Sequence, residues 1–156
     1  MDDAQLTEVL GVPWDELEPR HQDMARELLN DPGAPHWDKA VQFAVHLIAF
    51  QGGYDGALAR KLKRRANALL RALAEAGDPE SQRELGQALL HGEGITKNAG
   101  EAVVWLNRAL EQGDARAAFD LGCVYEHHRG AVRQDLDRSK EYFRLAEEMG
   151  HDPSRG

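Results

Sequence analysis

Cysteine occurs once in these 156 residues, at Cys123, so no disulfide can close within the chain and nothing demands an oxidising compartment. Long apolar runs are missing as well. The best stretch, AVQFAVHLIAF from Ala40, is broken by Gln42 and His46, short of the ~18 residues a membrane span needs. No segment alternates β-branched or aromatic residues with polar ones, whereas apolar residues recur at intervals of three and four almost throughout, which predicts an all-α fold. The opening MDDAQLTEVLG carries aspartates where a secretory leader would carry basic residues and a long apolar segment. The expectation is a soluble cytoplasmic protein. With 42% hydrophobic residues in 17.4 kDa, the chain can bury one sizeable core, so one continuous domain is expected.

Positive charge is scarce overall, and what there is concentrates in one place. Residues 1–38 hold ten acids against Arg20 and Arg26, residues 39–76 hold seven bases against Asp55 and Glu75, and residues 77–156 hold fifteen acids against ten bases. A basic band, Arg60, Lys61, Lys63, Arg64 and Arg65, therefore lies between two acidic flanks. Clustered cations of this kind can neutralise phosphates. Here no aromatic interleaves them and an ordinary packing stripe, Leu58, Leu62, Ala66 and Leu69, shares their helix. The band reads as a solvated face available to an acidic partner or to the chain's own acidic beginning, and nucleic acid is not the expected ligand.

Helices are expected over about 4–10, 19–29, 37–51 and 57–76, with NDPGAP from Asn30 and GGYDG from Gly52 as turns. From Gly77 the pattern becomes periodic. Gly77, Gly113 and Gly150 each follow a helix at intervals of 36 and 37, and LGQALLHGEGITKN from Leu85 returns as LGCVYEHHRGAVRQD from Leu121. Asp78-Pro79 starts a helix, and Asn98 with Glu101 predicts a reciprocal capping box. Ile95 and Val132 supply apolar plugs, and Ala131 marks a one-residue insertion in the second copy. Gly86 and Gly122 sit in mid-helix at the same register, where glycine costs ~1 kcal/mol relative to alanine. The repeated cost predicts that another helix backbone approaches there.

The second helices align as EAVVWLNRALEQGD and RSKEYFRLAEEMGH, pairing Trp105 with Tyr142, Leu106 with Phe143 and Ala109 with Ala146. Together with the leucine-glycine pairs and glycine loops, this order resembles the Sel-one-like repeat, a relative of the tetratricopeptide repeat. His128, standing where the first copy has Gly92, departs from it. The resemblance divides the chain into an acidic helical segment at 1–36, a diverged helix pair at 37–76, two repeats at 77–150 and a tail at 151–156. It implies a short right-handed α-solenoid of antiparallel helix pairs, extended by amino-terminal helices, that acts as an adaptor in protein complexes and catalyses no reaction.

GEGITK at residues 92–97 resembles a phosphate loop but joins two helices and lacks the required spacing. His91, Cys123 and His127, with His128 and Glu126 beside them, define the rival reading, a small metal-dependent regulator or enzyme. No metal, cofactor or catalytic residue is expected on the favoured reading, and His46 is taken as an interior or boundary histidine. The expected partner is another protein, bound through the first helices of the repeats at Glu84, Gln87, His91, Phe119, Asp120, Cys123 and His127. Phe119 stands where the first copy has Arg83, and an aromatic at an otherwise polar site suits an anchor. An immunity-type bacterial protein that occludes one toxin or effector is the specialised version. Tyr142, Leu145 and Met149 form a second apolar stripe, expected as an end interface for a partner or for a homodimer through the last helix.

Overall fold

The computed structural model describes residues 2–10, 13–30, 56–92 and 94–152. Seven α-helices occupy them: α1 Asp3–Leu10, α2 Pro19–Asn30, α3 Gly56–Glu75, α4 Pro79–His91, α5 Ala99–Glu111, α6 Ala115–Glu126 and α7 Leu136–Glu148, with a 3-10 turn at Trp14–Glu16. Among the described residues there is no strand, only an isolated bridge between Arg129 and Val132. The expected helix at 37–51, His46 and residues 31–35 and 52–55 of the expected turns lie outside the described residues, while Asn30 ends α2 and Gly56 begins α3.

Each helix from α4 onward begins on a side chain that accepts free first-turn amides. Asp78 accepts from Ser81 N at 2.7 Å, Asn98 from Glu101 N at 3.0 Å, Asp114 from Arg116 N at 2.9 Å and Asp135 from Arg138 N at 3.0 Å. Three helix ends share one stop. Gly77, Gly113 and Gly150 all have φ near +90 to +105°, and the next residue's amide reaches back to Leu73, Ala109 and Ala146 respectively. Only a residue free to adopt that left-handed geometry lets the chain reverse into the next pair.

Packing follows chain order: α3 lies on α4, α4 on α5, α5 on α6 and α6 on α7, and the two first helices α4 and α6 also meet. This is an all-α, TPR-like solenoid of stacked helix pairs. Its apolar interior runs as two linked layers. Leu85, Leu89, Ala102 and Trp105 fill the first with Ala74 of α3, and Leu106, Ala109, Ala117, Leu121 and Val124 fill the second. Ile95 and Val132, from equivalent loops, plug one layer each.

The mid-helix glycines are explained differently from expectation. A Cβ on Gly86 would lie 2.8 Å from Leu106 Cγ, and one on Gly122 would lie 2.6 Å from Phe143 Cδ1. The nearest backbone atom at Gly86, the Ala102 carbonyl oxygen, is farther at 3.4 Å. A side chain from the second helix of each pair, rather than a neighbouring backbone, occupies the space. In the second pair the fit is locked by Ser139, which donates to the Gly122 carbonyl at 2.8 Å in the interior.

The capping box is only half present. Asn98 caps Glu101, but the Glu101 carboxylate turns away, accepting from Arg71 at 2.6 Å and from Trp105 Nε1 at 3.2 Å. The Asn98 amide has no need of it, because it donates to Leu89 O at 2.9 Å. Glu101 thus ties α5 to α3. The Arg71 hydrogen bond holds its pKa below the ordinary carboxylate value.

Candidate protein-interaction face

The face presented by α4 and α6 is organised around Arg83. Its guanidinium pairs with Glu84 next door, approaches Asp114 at 3.4 Å in the turn before α6, and lies 3.9 Å from Asp120 one repeat on. These are enclosed groups, with Arg83, Asp114 and Asp120 side chains only 11%, 10% and 14% exposed. One cation serves three carboxylates. For Asp120 the balance is unfavourable, since burial raises its pKa against the opposing pull of Gln87 and Arg83. Its Oδ2 is buried without a hydrogen-bond partner.

One repeat later the same register is apolar. Phe119 is the counterpart of Arg83, and His151 the counterpart of Asp114. Their rings sit 5.0 Å apart, and Phe119 also contacts Phe143 at 5.3 Å. Phe119, Phe143, Ala146, Glu147 and His151 line a cup of about 270 Å³ at the end of the stack. In the preceding repeat the corresponding ground, Leu106 and Ala109, is covered by Ala117 and Leu121 of α6.

The remaining expected face residues divide by exposure. His91 and His127 are exposed, with His91 Nε2 3.2 Å from Gln87 Oε1 and His127 Nδ1 3.7 Å from Glu126. Gln87 and Cys123 are half-buried, as is Glu84 beside Arg83. Asp120 belongs to the Arg83 network instead of standing free. Burial, then the carboxylates of Asp120 and Glu126, raise the Cys123 pKa, which keeps the thiol protonated and poorly nucleophilic. Among the described residues no group of three or more His, Cys, Asp or Glu side chains is placed to hold a metal ion.

Two further expectations change. Tyr142 does not belong to an end surface: its ring stacks on Tyr125 at 5.8 Å and 6°, and its hydroxyl meets Asn107 Oδ1 of α5 at 3.3 Å. The stripe therefore runs along the side of α7 turned towards the preceding repeat. Met149, 36% exposed, shares a hollow there with Gln112 and Gly113, and Leu145 is half-buried. The open end is built by Phe143 and His151, which the repeat alignment marks as the partners Phe119 must have once Arg83 and Asp114 are seen to pair. On α3, Arg60, Lys61, Arg64 and Arg65 are exposed, while Lys63 is half-buried under the loop at Gly94.

A stack of helix pairs that keeps its first helices side by side defines the class, a TPR-like α-solenoid. Residues 79–114 and 115–151 each match the Sel1 repeat, so this part of the chain is built of two Sel1 repeats. A Sel1 repeat protein from Oxalobacter formigenes has a similar structure, with TM-score 0.62 and 24% identity over 83% of this chain and 90% of that one. A protective antigen present in uropathogenic Escherichia coli strains, displaying an SLR fold, superposes with TM-score 0.61 and 19% identity. That match takes in 96% of this chain but spans only 29% of the antigen. At such identities the likeness speaks to fold alone. No curated protein matches the chain. Sel1-repeat proteins generally act as protein-interaction adaptors, and the fold is typically a non-catalytic scaffold. Among the described residues no helix is long and apolar enough to cross a membrane.

Proposed function

We propose that this chain is a non-enzymatic cytoplasmic module that binds one partner protein through the face of α4 and α6, with Phe119 as its anchor. The observation that carries this reading is the aromatic cup: Phe119 lies against Phe143 and His151 at a place where the preceding repeat spends the same positions on an internal ion network. An apolar side chain of the partner seats in the cup, flanked by Glu147. Gln87, His91, Cys123 and His127 supply the polar surround. The specialised version of this reading is occlusion of one toxin or effector, as an immunity-type protein would do. Arg60, Lys61, Arg64 and Arg65 on α3 extend the contact to acidic ground on the same partner.

Affinity capture from the native cell with mass spectrometry identifies the partner, and titration of the purified pair then tests the face. Phe119→Ala is expected to weaken binding by about tenfold or more, in line with the ≥ ~1.4 kcal/mol typical of an aromatic anchor. Glu111→Gln, at an exposed site on α5 outside this face, controls for indirect effects. Unchanged affinity in a folded Phe119→Ala protein overturns the assignment.

A further inference from the structure

A second cavity, of about 420 Å³, opens on the loop edge of the stack between the two repeats, and it differs in chemistry from the aromatic cup. Leu89 and Leu90 form its apolar wall, and Lys97 and Arg129 line it from successive loops. No carboxylate lines it among the described residues. Arg129 is half-buried, its Nε is enclosed without a hydrogen-bond partner, and it makes no ion pair among the described residues. A half-buried guanidinium left without a counter-charge is unusual, because taking a charge from water is offset only when something opposite meets it.

The backbone at Arg129 is fixed by a two-way hydrogen-bond exchange with Val132, at 2.9 and 3.0 Å. The stem of Lys97 lies across Gly92, where a Cβ would come within 2.5 Å of Lys97 Cγ. In the second repeat His128 replaces that glycine and Gln134 replaces the lysine, so the arrangement occurs once. Ala99 and Gly100, the first residues of α5, also line the cavity, and first-turn amides lack acceptors within their own helix.

We infer that this cavity receives an acidic side chain of the bound partner protein, its carboxylate between Lys97 and Arg129 and an apolar neighbour against Leu89 and Leu90. The inference rests on the protein-binding reading above but uses a different surface. A single carboxylate on a peptide segment fits one wall of leucine facing two cations, and the site supplies local positive charge within repeats that are acidic overall.

The test is a titration of the 15N-labelled full chain with acetyl-Leu-Glu-Leu-amide, with its Gln counterpart and with inorganic phosphate, following the amides of Gly100, Gly130 and Ala131. The Glu peptide is expected to shift these amides saturably, with the Gln peptide about tenfold weaker. Arg129→Gln and, at an exposed position, Lys97→Gln should each weaken the Glu peptide about five- to tenfold, and Arg129→Lys should recover part of the loss. Equal binding of the Gln peptide, or unchanged binding in Arg129→Gln, overturns the inference. Phosphate saturating the same amides more tightly than the Glu peptide also overturns it and marks a phosphate site. Phe119→Ala leaves this titration unchanged, so failure of the cup and failure of the anion cavity are read separately.

Discussion

The two repeats place different chemistry on one geometry. In the first, Arg83 reaches forward to Asp114 and Asp120 and helps to join one helix pair to the next. In the second, Phe119 and His151 occupy the matching positions and meet as rings beside a hollow. The difference shows how a repeat array separates cohesion from recognition. The position that faces the next repeat is satisfied by an ion network, whereas its counterpart in the second repeat carries an apolar ring. Ions suit the first use because both partners belong to one chain. An apolar ring suits the second because it gains when anything apolar arrives.

The comparison breaks most sharply at Arg83. Replacing it by methionine keeps much of its length but leaves Glu84, Asp114 and Asp120 facing one another in enclosed positions, and removal of one member of a buried ion network typically destabilises by ~3–5 kcal/mol. Phe119→Ala, at the equivalent register, removes a half-buried ring and should destabilise by clearly less. Urea unfolding of the two variants measures both. A Phe119→Ala loss equal to that of Arg83→Met would show that the aromatic cup is core and would remove the distinction between the two ends.

Smaller effects separate the glycines. Leucine at Gly86 must displace Leu106, which is fully buried between layers, whereas leucine at Gly122 meets Phe143 at the open end, where the ring has space to swing. Overpacking of this kind costs ~1–3 kcal/mol. Gly86→Leu is expected near the top of that range and Gly122→Leu below it, read as thermal midpoints. A reversed order would mean that the end of the stack is the more rigid part.

How much of this is visible in the sequence depends on whether the information is local. Helix starts at Asp78, Asn98, Asp114 and Asp135 and stops at Gly77, Gly113 and Gly150 involve contacts within a few residues, so side-chain chemistry and spacing reveal them. Contacts across the stack do not follow from spacing. Asn98 and Glu101 look like a capping box locally, yet Arg71 from another helix captures the carboxylate. Tyr142, Leu145 and Met149 lie on one helical face, but periodicity does not say whether that face looks at the preceding repeat or at the open end. The groove residues show the same limit: Asp120 and His127 share a helix face, although one is enclosed by Arg83 and the other is exposed.

The smallest effect concerns protons, and it again contrasts the two sides of the Arg83 network with the α3–α5 tie. Burial raises the folded-state pKa of Asp120 above its unfolded value, so the folded protein takes up this proton at a higher pH than the unfolded chain does. Stability from Asp120 therefore increases as pH falls through the raised folded value, and the gain is complete below the unfolded value. Glu101 behaves in the opposite sense. The Arg71 hydrogen bond lowers its folded pKa, so its contribution is full above the unfolded value and disappears as pH falls through the lowered one. Glu101 is partly exposed, and solvent screening keeps its share small. In Asp120→Asn the acid-side gain is absent and only the Glu101 loss remains, so the thermal midpoint should decline more steeply than that of the wild type on acidification. At neutral pH the same change removes a poorly solvated charge and should move the midpoint by no more than about 2–4 °C. Midpoints measured across the carboxylate range decide the matter. Parallel curves would mean that Asp120 is as well solvated in the folded protein as in the unfolded chain, and that Arg83 holds its carboxylates together without an excess of buried negative charge.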